Sequence, residues 1–268
     1  MFAAGMMNAS RDVEMEHYLR ACKIYESEEG LMRRKHVSQK LCAITTEWAV
    51  QLSKVKSIPK EYLVPTINIF GSTRLGVQSE ESDIDALCIT PMYITFNDFF
   101  GSFCQTLATR PDVEGLLPIP EAYTPVIKFV LDGQAIDMVF CSLQTMRLHQ
   151  NLDVLDLRFL KGLDNQSVRS LNGSRVAEWI CKLVPNMKSF CTVLRVIKFW
   201  ARRRGMYSNV LGFLGGVNFA ILVGFICQLY PTGSPHVLVQ SFFRVYSQWK
   251  WPNPVMLREF EDFQLENR

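Results

Sequence analysis

Histidine is scarce in this chain: there are four, each isolated, and none of the eight cysteines stands in a Cys-x-x-Cys step. Zinc sites announce themselves by short spacings of such ligands, so no zinc centre is expected. Several cysteines lie inside apolar runs and read as small buried hydrophobes of a reduced, intracellular protein. The opening MFAAGMMNASRDVEMEH lacks both a basic start and a long apolar core, so no signal peptide is expected. Charge of one sign is also lacking. The net +3 leaves any affinity for nucleic acid to local clusters rather than to the chain as a whole. Internal repeats and low-complexity segments are missing. Only one stretch is short of charge: between Gly205 and Phe243 there is none besides His236. Within it, Val210–Tyr230 is about long enough to cross a bilayer. It carries Gly212, Gly215, Gly216, Asn218, Gly224 and Gln228, and so reads instead as a buried helix of a soluble domain.

What is present is enough apolar sequence, 48% of 268 residues, to build one or two globular domains. The first 57 or so residues have helical spacing, with Val37, Leu41, Ile44, Trp48 and Leu52 on one face. Ser57-Ile58-Pro59 ends that pattern. Strand-like runs follow at 64–70, 85–90, 125–132 and 134–141, with Asp132-Gly133 as a hairpin turn and an amphipathic helix at 96–109. Beyond Leu148 successive helical patterns are broken by Pro or Gly. The expected organisation is therefore α+β with a mixed sheet: a catalytic domain over 10–150, including the N-terminal helices, then a helical domain over 151–268.

The sheet region carries the chemistry. In FGSTRLGVQSEESDIDALCI, Asp83 and Asp85 stand two apart at a strand start and so share a face, while Ile84 points into the core. Two such carboxylates repel unless a cation sits between them. They are hard oxygen ligands suited to Mg2+ or Mn2+. Asp137, in the apolar run QAIDMVF, would complete a three-carboxylate cluster for two ions. Such a pair activates an attacking oxygen and stabilises a leaving one in phosphoryl transfer. Gly71 permits close backbone approach to a ligand, and Ser72 offers a hydroxyl and an N–H at the start of a short helix. On its own, each motif also fits a turn or a solvated loop end.

Phe70-Gly71-Ser72, Asp83 eleven positions after Ser72, and the later strand with Asp137 match the polymerase-β-like nucleotidyltransferases. VRSLNGSRVAEWI, LVPNMKSF, LRVIKFWARRRGMYSNVLGFLGGVNFAILV and VYSQWKWPNPV narrow the match. From about Glu14 to Leu257 the chain resembles the eukaryotic nuclear-type poly(A) polymerases. The resemblance implies a polymerase-β-like palm followed by a helical central domain. It also implies addition of AMP from ATP to an RNA 3′-hydroxyl, in the nucleus and without a template. Asp83, Asp85 and Asp137 are then the catalytic, metal-binding residues for two Mg2+ or Mn2+ ions. Phe70, Gly71, Ser72, Asn172, Lys198, Arg202, Tyr207, Asn209, Gly216 and Val217 would contact the nucleotide. Arg195, Lys198 and Arg202 lie on one helix face, which spacing alone favours as a solvated basic surface.

Two departures from the family pattern stand out. Arg202 replaces a usual lysine, and Asn218 replaces a usual small serine beside the base. The family also continues into a C-terminal RNA-binding domain that the sequence here does not contain. The implied partners are ATP, an RNA 3′ end and cleavage and polyadenylation factors, with the protein a monomer and no membrane involved. Two alternatives stay open: a terminal uridylyltransferase-like enzyme, or a catalytically silent truncated isoform acting as a binding module.

Overall fold

The computed structural model describes residues 2–148 and 152–259, with side chains from Ser10 onward. The chain divides into two compact units. Among the described residues, one comprises Ser27–Arg74 and Glu81–Glu178; the other takes the first helix, Leu75–Glu80 and residues 179–259.

The first unit is built on a five-stranded sheet in the order β1-β2-β5-β4-β3. Its strands are β1 (Thr66–Ile69), β2 (Ile84–Pro91), β3 (Val113–Ile119), β4 (Val126–Leu131) and β5 (Gln134–Leu143). Only the central β2–β5 pair is parallel, so the sheet is mixed. Those two strands are apolar because both of their faces are covered. On one face Ile84, Ala86, Cys88, Ile136 and Met138 pack with Val37, Leu41, Ile44, Trp48 and Leu52. These five belong to α2 (Glu28–Lys56). On the other face Leu87, Ile89, Val139 and Cys141 pack with Leu171 of α6 (Asn165–Leu183). The β4–β5 hairpin turns through Asp132 and Gly133, both at positive φ (48° and 73°), the backbone of a type I′ turn.

Three sequence expectations need adjustment here. The N-terminal helix is broken: α1 (Phe2–Ala21) ends before Lys23, which is at φ 54°, and α2 restarts where the Ser27 hydroxyl accepts from the Gly30 N–H at 3.1 Å. The strand β3 was not expected. It carries Gly115 and Pro118, is exposed at alternate stretches, and slips register between Glu114 and Leu117, as an edge strand can. The helix expected at 96–109 is observed as α4 (Phe96–Asp98), a π turn (Phe99–Phe103) and α5 (Cys104–Ala108). The four-residue α3 (Gly71–Arg74) joins β1 to the loop before β2.

The second unit is helical: α1 with α7 (Met187–Arg203), α8 (Gly216–Leu229) and α9 (Pro235–Ser247). Phe190, Val193, Leu194 and Ile197 of α7 pack in its interior, as do Phe219, Ala220, Val223 and Ile226 of α8. Although α1 precedes the sheet in sequence, it folds into this unit. Its Asp12 accepts the first-turn N–H of His236 at 2.8 Å and so caps α9. The expected boundary at 150–151 lies outside the described residues; the contact division falls between Glu178 and Trp179, within α6. No helix among the described residues is long and apolar enough to cross a membrane; α8, in the charge-poor stretch, has only 14 residues.

Candidate active site

The carboxylates are placed by the middle of the sheet. The Phe70 N–H donates to the Asp85 carbonyl at 3.0 Å, extending the β1–β2 ladder by one bond. The chain then turns sharply at Gly71, whose φ is +60°. A Cβ on Gly71 would lie 1.9 Å from Asp85 Oδ2, so only glycine lets the backbone pass this carboxylate. The next residue, Ser72, donates its N–H to Asp85. The N–H expected to greet a phosphate thus greets a carboxylate here.

Asp85 is directly level with Asp137 in the parallel β2–β5 register, so the two side chains emerge on the same face. Burial, and then the charges of Asp83 and Asp137, push the Asp85 carboxyl up to about 7; Lys128 and the Ser72 N–H act in the opposite sense. The three aspartates therefore lie within electrostatic reach of one another. Among the described residues, however, no three carboxylate, imidazole or thiol groups already converge as a metal site. The expected cluster differs for a physical reason. Asp137 is ion-paired with Lys128, its cross-strand neighbour on β4, and the ammonium takes the place of a cation. Lys128 was not singled out from the sequence, although a lysine in the alternating run VIKFVL is the signal that marks it. The donor set fits a hard divalent cation: all its atoms are carboxylate oxygens, and the repulsion that raises Asp85 is what such an ion relieves.

Phe70 is half-buried and packs against the second core cluster. A Cβ on Gly173 would meet its ring at 2.9 Å, so this phenyl is seated on α6. Asn172 is exposed beside it, and Ser174 donates to Asn68 Oδ1 at 2.6 Å, fixing that stretch of α6 on β1.

In the helical unit a second group assembles. Tyr207 stacks on Phe219, with centroids 5.8 Å apart and an interplanar angle of 5°. The Arg202 guanidinium lies 4.9 Å over the Tyr207 ring. Gly216 leaves room for the Tyr207 hydroxyl, which a Cβ would approach to 2.9 Å. Gly215 does the same for the Asn209 amide, at 2.6 Å. Val217 is 48% exposed at the start of α8, and Lys198 is half-buried one turn before Arg202. Arg195 does not join them: it donates to the Gly76 carbonyl and lies 4.5 Å over Tyr25. Asn218, which departs from the family pattern, accepts the Gly215 N–H at 3.1 Å and caps its own helix.

A family model for the poly(A) polymerase nucleotidyltransferase domain matches residues 7–184, and one for the poly(A) polymerase central domain matches 189–268. The chain belongs to the poly(A) polymerase family. Nuclear poly(A) polymerase 4 of Arabidopsis thaliana is 45% identical over 95% of this chain and 35% of its own length. The poly(A) polymerase of Dictyostelium discoideum is 42% identical over 93% of this chain and 31% of its own. The chain thus spans about a third of the curated poly(A) polymerases it matches. Solved structures share the polymerase-β-like fold at low identity. A Cid1 poly(U) polymerase with Mg 3′-dATP bound superposes with a TM-score of 0.60 at 15% identity, over 89% of this chain and 74% of its own. The polymerase core of TRAMP does so at 0.55 and 17%, over 90% and 65%.

Proposed function

We propose that this poly(A) polymerase family member is an RNA 3′-adenylyltransferase of mRNA 3′-end polyadenylation, acting in the nucleus on ATP and an RNA 3′ end. The observation that carries the reading is the level placement of Asp85 and Asp137 in parallel strands, with Asp83 two residues before. In the reaction the RNA 3′-oxygen bonds to the α-phosphorus of ATP. The bond from that phosphorus to the bridging oxygen breaks, pyrophosphate leaves, and the hydroxyl proton passes to solvent.

Asp83 and Asp85 would hold both of two Mg2+ or Mn2+ ions and Asp137 one of them; when bound, the pair acidifies the attacking hydroxyl and neutralises charge on the phosphates. Lys128 would then give up Asp137 as a partner. Lys198 and Arg202 supply positive charge for the triphosphate, and Tyr207, braced by Phe219 and Arg202, presents its hydroxyl as a donor. Phe70, Gly71 and Ser72 meet the incoming nucleotide, Asn172 the ribose and Asn209 the base edge, while Val217 gives adenine an apolar shelf. Cleavage and polyadenylation factors are the protein partners this reading implies, and the enzyme acts as a monomer.

Primer extension with each of the four nucleotides tests it. ATP incorporation that is lost in Asp85→Ala is expected. Preference for UTP would replace the reading by that of a uridylyltransferase. A monomer that binds Mg-ATP but extends nothing would replace it by that of a binding module.

A further inference from the structure

We propose that Arg34, on the N-terminal part of α2, is a positioning residue for the Asp83 carboxylate. The inference rests on the proposed metal-binding role of Asp83. Asp83 lies outside β2, which begins at Ile84, and the β2–β5 register likewise starts at Ile84 opposite Ile136. Its backbone therefore lies outside the paired strand.

Arg34 supplies the hold instead. It is buried, with 3% of its surface exposed. It donates from one guanidinium nitrogen to the Ser82 carbonyl at 2.5 Å and from another to the Asp83 carbonyl at 3.3 Å. Gln134, 4% exposed at the first position of β5, donates to the same Ser82 carbonyl at 3.1 Å. A guanidinium taken out of water costs heavily unless its donors are used. Here its planar fork bonds two successive carbonyls, which fixes the peptide between them in a way a point charge does not. With that peptide fixed, the Asp83 side chain leaves the backbone in one direction, toward the face shared with Asp85. These two contacts run to main-chain oxygens, so they act on the backbone that carries the ligand.

The experiment is a titration of Mn2+ into metal-free protein, read by loss of the free-ion paramagnetic resonance signal. It is paired with the Mg2+ dependence of primer extension. Arg34→Lys keeps the charge and loses the fork; it is expected to weaken Mn2+ binding roughly 10-fold, the usual scale for groups that orient metal ligands. Gln134→Ala is expected to weaken it about two- to three-fold. In both, excess Mg2+ restores the extension rate, and KM for ATP at saturating metal is unchanged. Lys40→Met serves as the stability control. It removes ion pairs from the same helix to Asp112 and Asp132, and is expected to lower the melting temperature with Mn2+ affinity unaltered. Arg34→Lys that melts lower but binds Mn2+ as the unaltered protein does would overturn the proposal; if it does not fold, unchanged binding by Gln134→Ala does so. Asp85→Asn in the same titration separates the two ideas. Binding that survives there refutes the metal assignment itself, whereas binding lost there but kept in Arg34→Lys refutes only the role of Arg34.

Discussion

Replacing Gly71 by alanine adds one carbon where the structure has no room for it. The new Cβ would stand 1.9 Å from Asp85 Oδ2, when such atoms rarely come nearer than 3.0 Å. The contact atom is a half-buried carboxylate, which must retreat by about 1 Å and surrender the Ser72 N–H. A displacement of that size at a reacting centre costs on the order of 100-fold in rate. The φ of +60° adds a second penalty of about 1–2 kcal/mol for any residue with a Cβ. Gly133→Ala separates the two effects. Gly133 has φ +73° and nothing within 4 Å of its would-be Cβ, so it suffers only the backbone strain. Both variants are expected to melt several degrees lower, at about 2–4 °C per kcal/mol. Only Gly71→Ala is expected to lose primer extension, by roughly 100-fold. The measurements are thermal unfolding by circular dichroism and initial extension rates at saturating ATP. Equal rates for the two variants would show that Asp85 need not stay where the turn places it, and the proposed site geometry would fall.

Gly216→Ala brings a Cβ to 2.9 Å from the Tyr207 hydroxyl; KM for ATP is expected to rise about 5- to 10-fold with kcat within about two-fold, the signature of lost substrate binding. Asn218→Ala removes the cap on Gly215 and is expected to cost about 1 kcal/mol while leaving ATP-over-UTP preference in extension assays unaltered; a change of preference would assign Asn218 to the base instead. Asp98 is destabilised by burial, but the Lys56 ammonium and Thr95 donors outweigh this and hold its carboxyl below the usual range. Because the folded value is depressed, its stabilisation is full near neutrality and disappears as pH falls through that value. Asp98→Asn is thus expected to unfold about 1–3 kcal/mol more easily at pH 7, with the gap closing toward pH 3 in urea titrations.

The readability of the chain varied with how local each cause was. Asp132-Gly133 announced its turn because both positive φ values lie in two adjacent residues. The face of α2 was legible from Val37 to Leu52 because one helix period sorts its apolar side chains. Strand β3 was hidden because Gly115 and Pro118 contradict a strand unless an edge position is known. Of the proposed site, the motifs were legible: the Asp83, Asp85 and Asp137 carboxylates and the glycine turn at Gly71 stand out in the sequence. The pairing of Lys128 with Asp137 was not legible, since it follows from cross-strand register rather than from any motif.

By itself the sequence determined the chemistry on offer, because it sets two carboxylates, Asp83 and Asp85, two residues apart at the start of an apolar strand. It also determined family membership, through motifs spread over most of the chain. Tertiary structure alone decided that the Ser72 N–H meets Asp85, that α1 folds with the helices rather than the sheet, and that Arg34 reaches across 48 residues to the carbonyl of Ser82. Those contacts join segments remote in sequence, and no local periodicity encodes which buried donor will find which carbonyl.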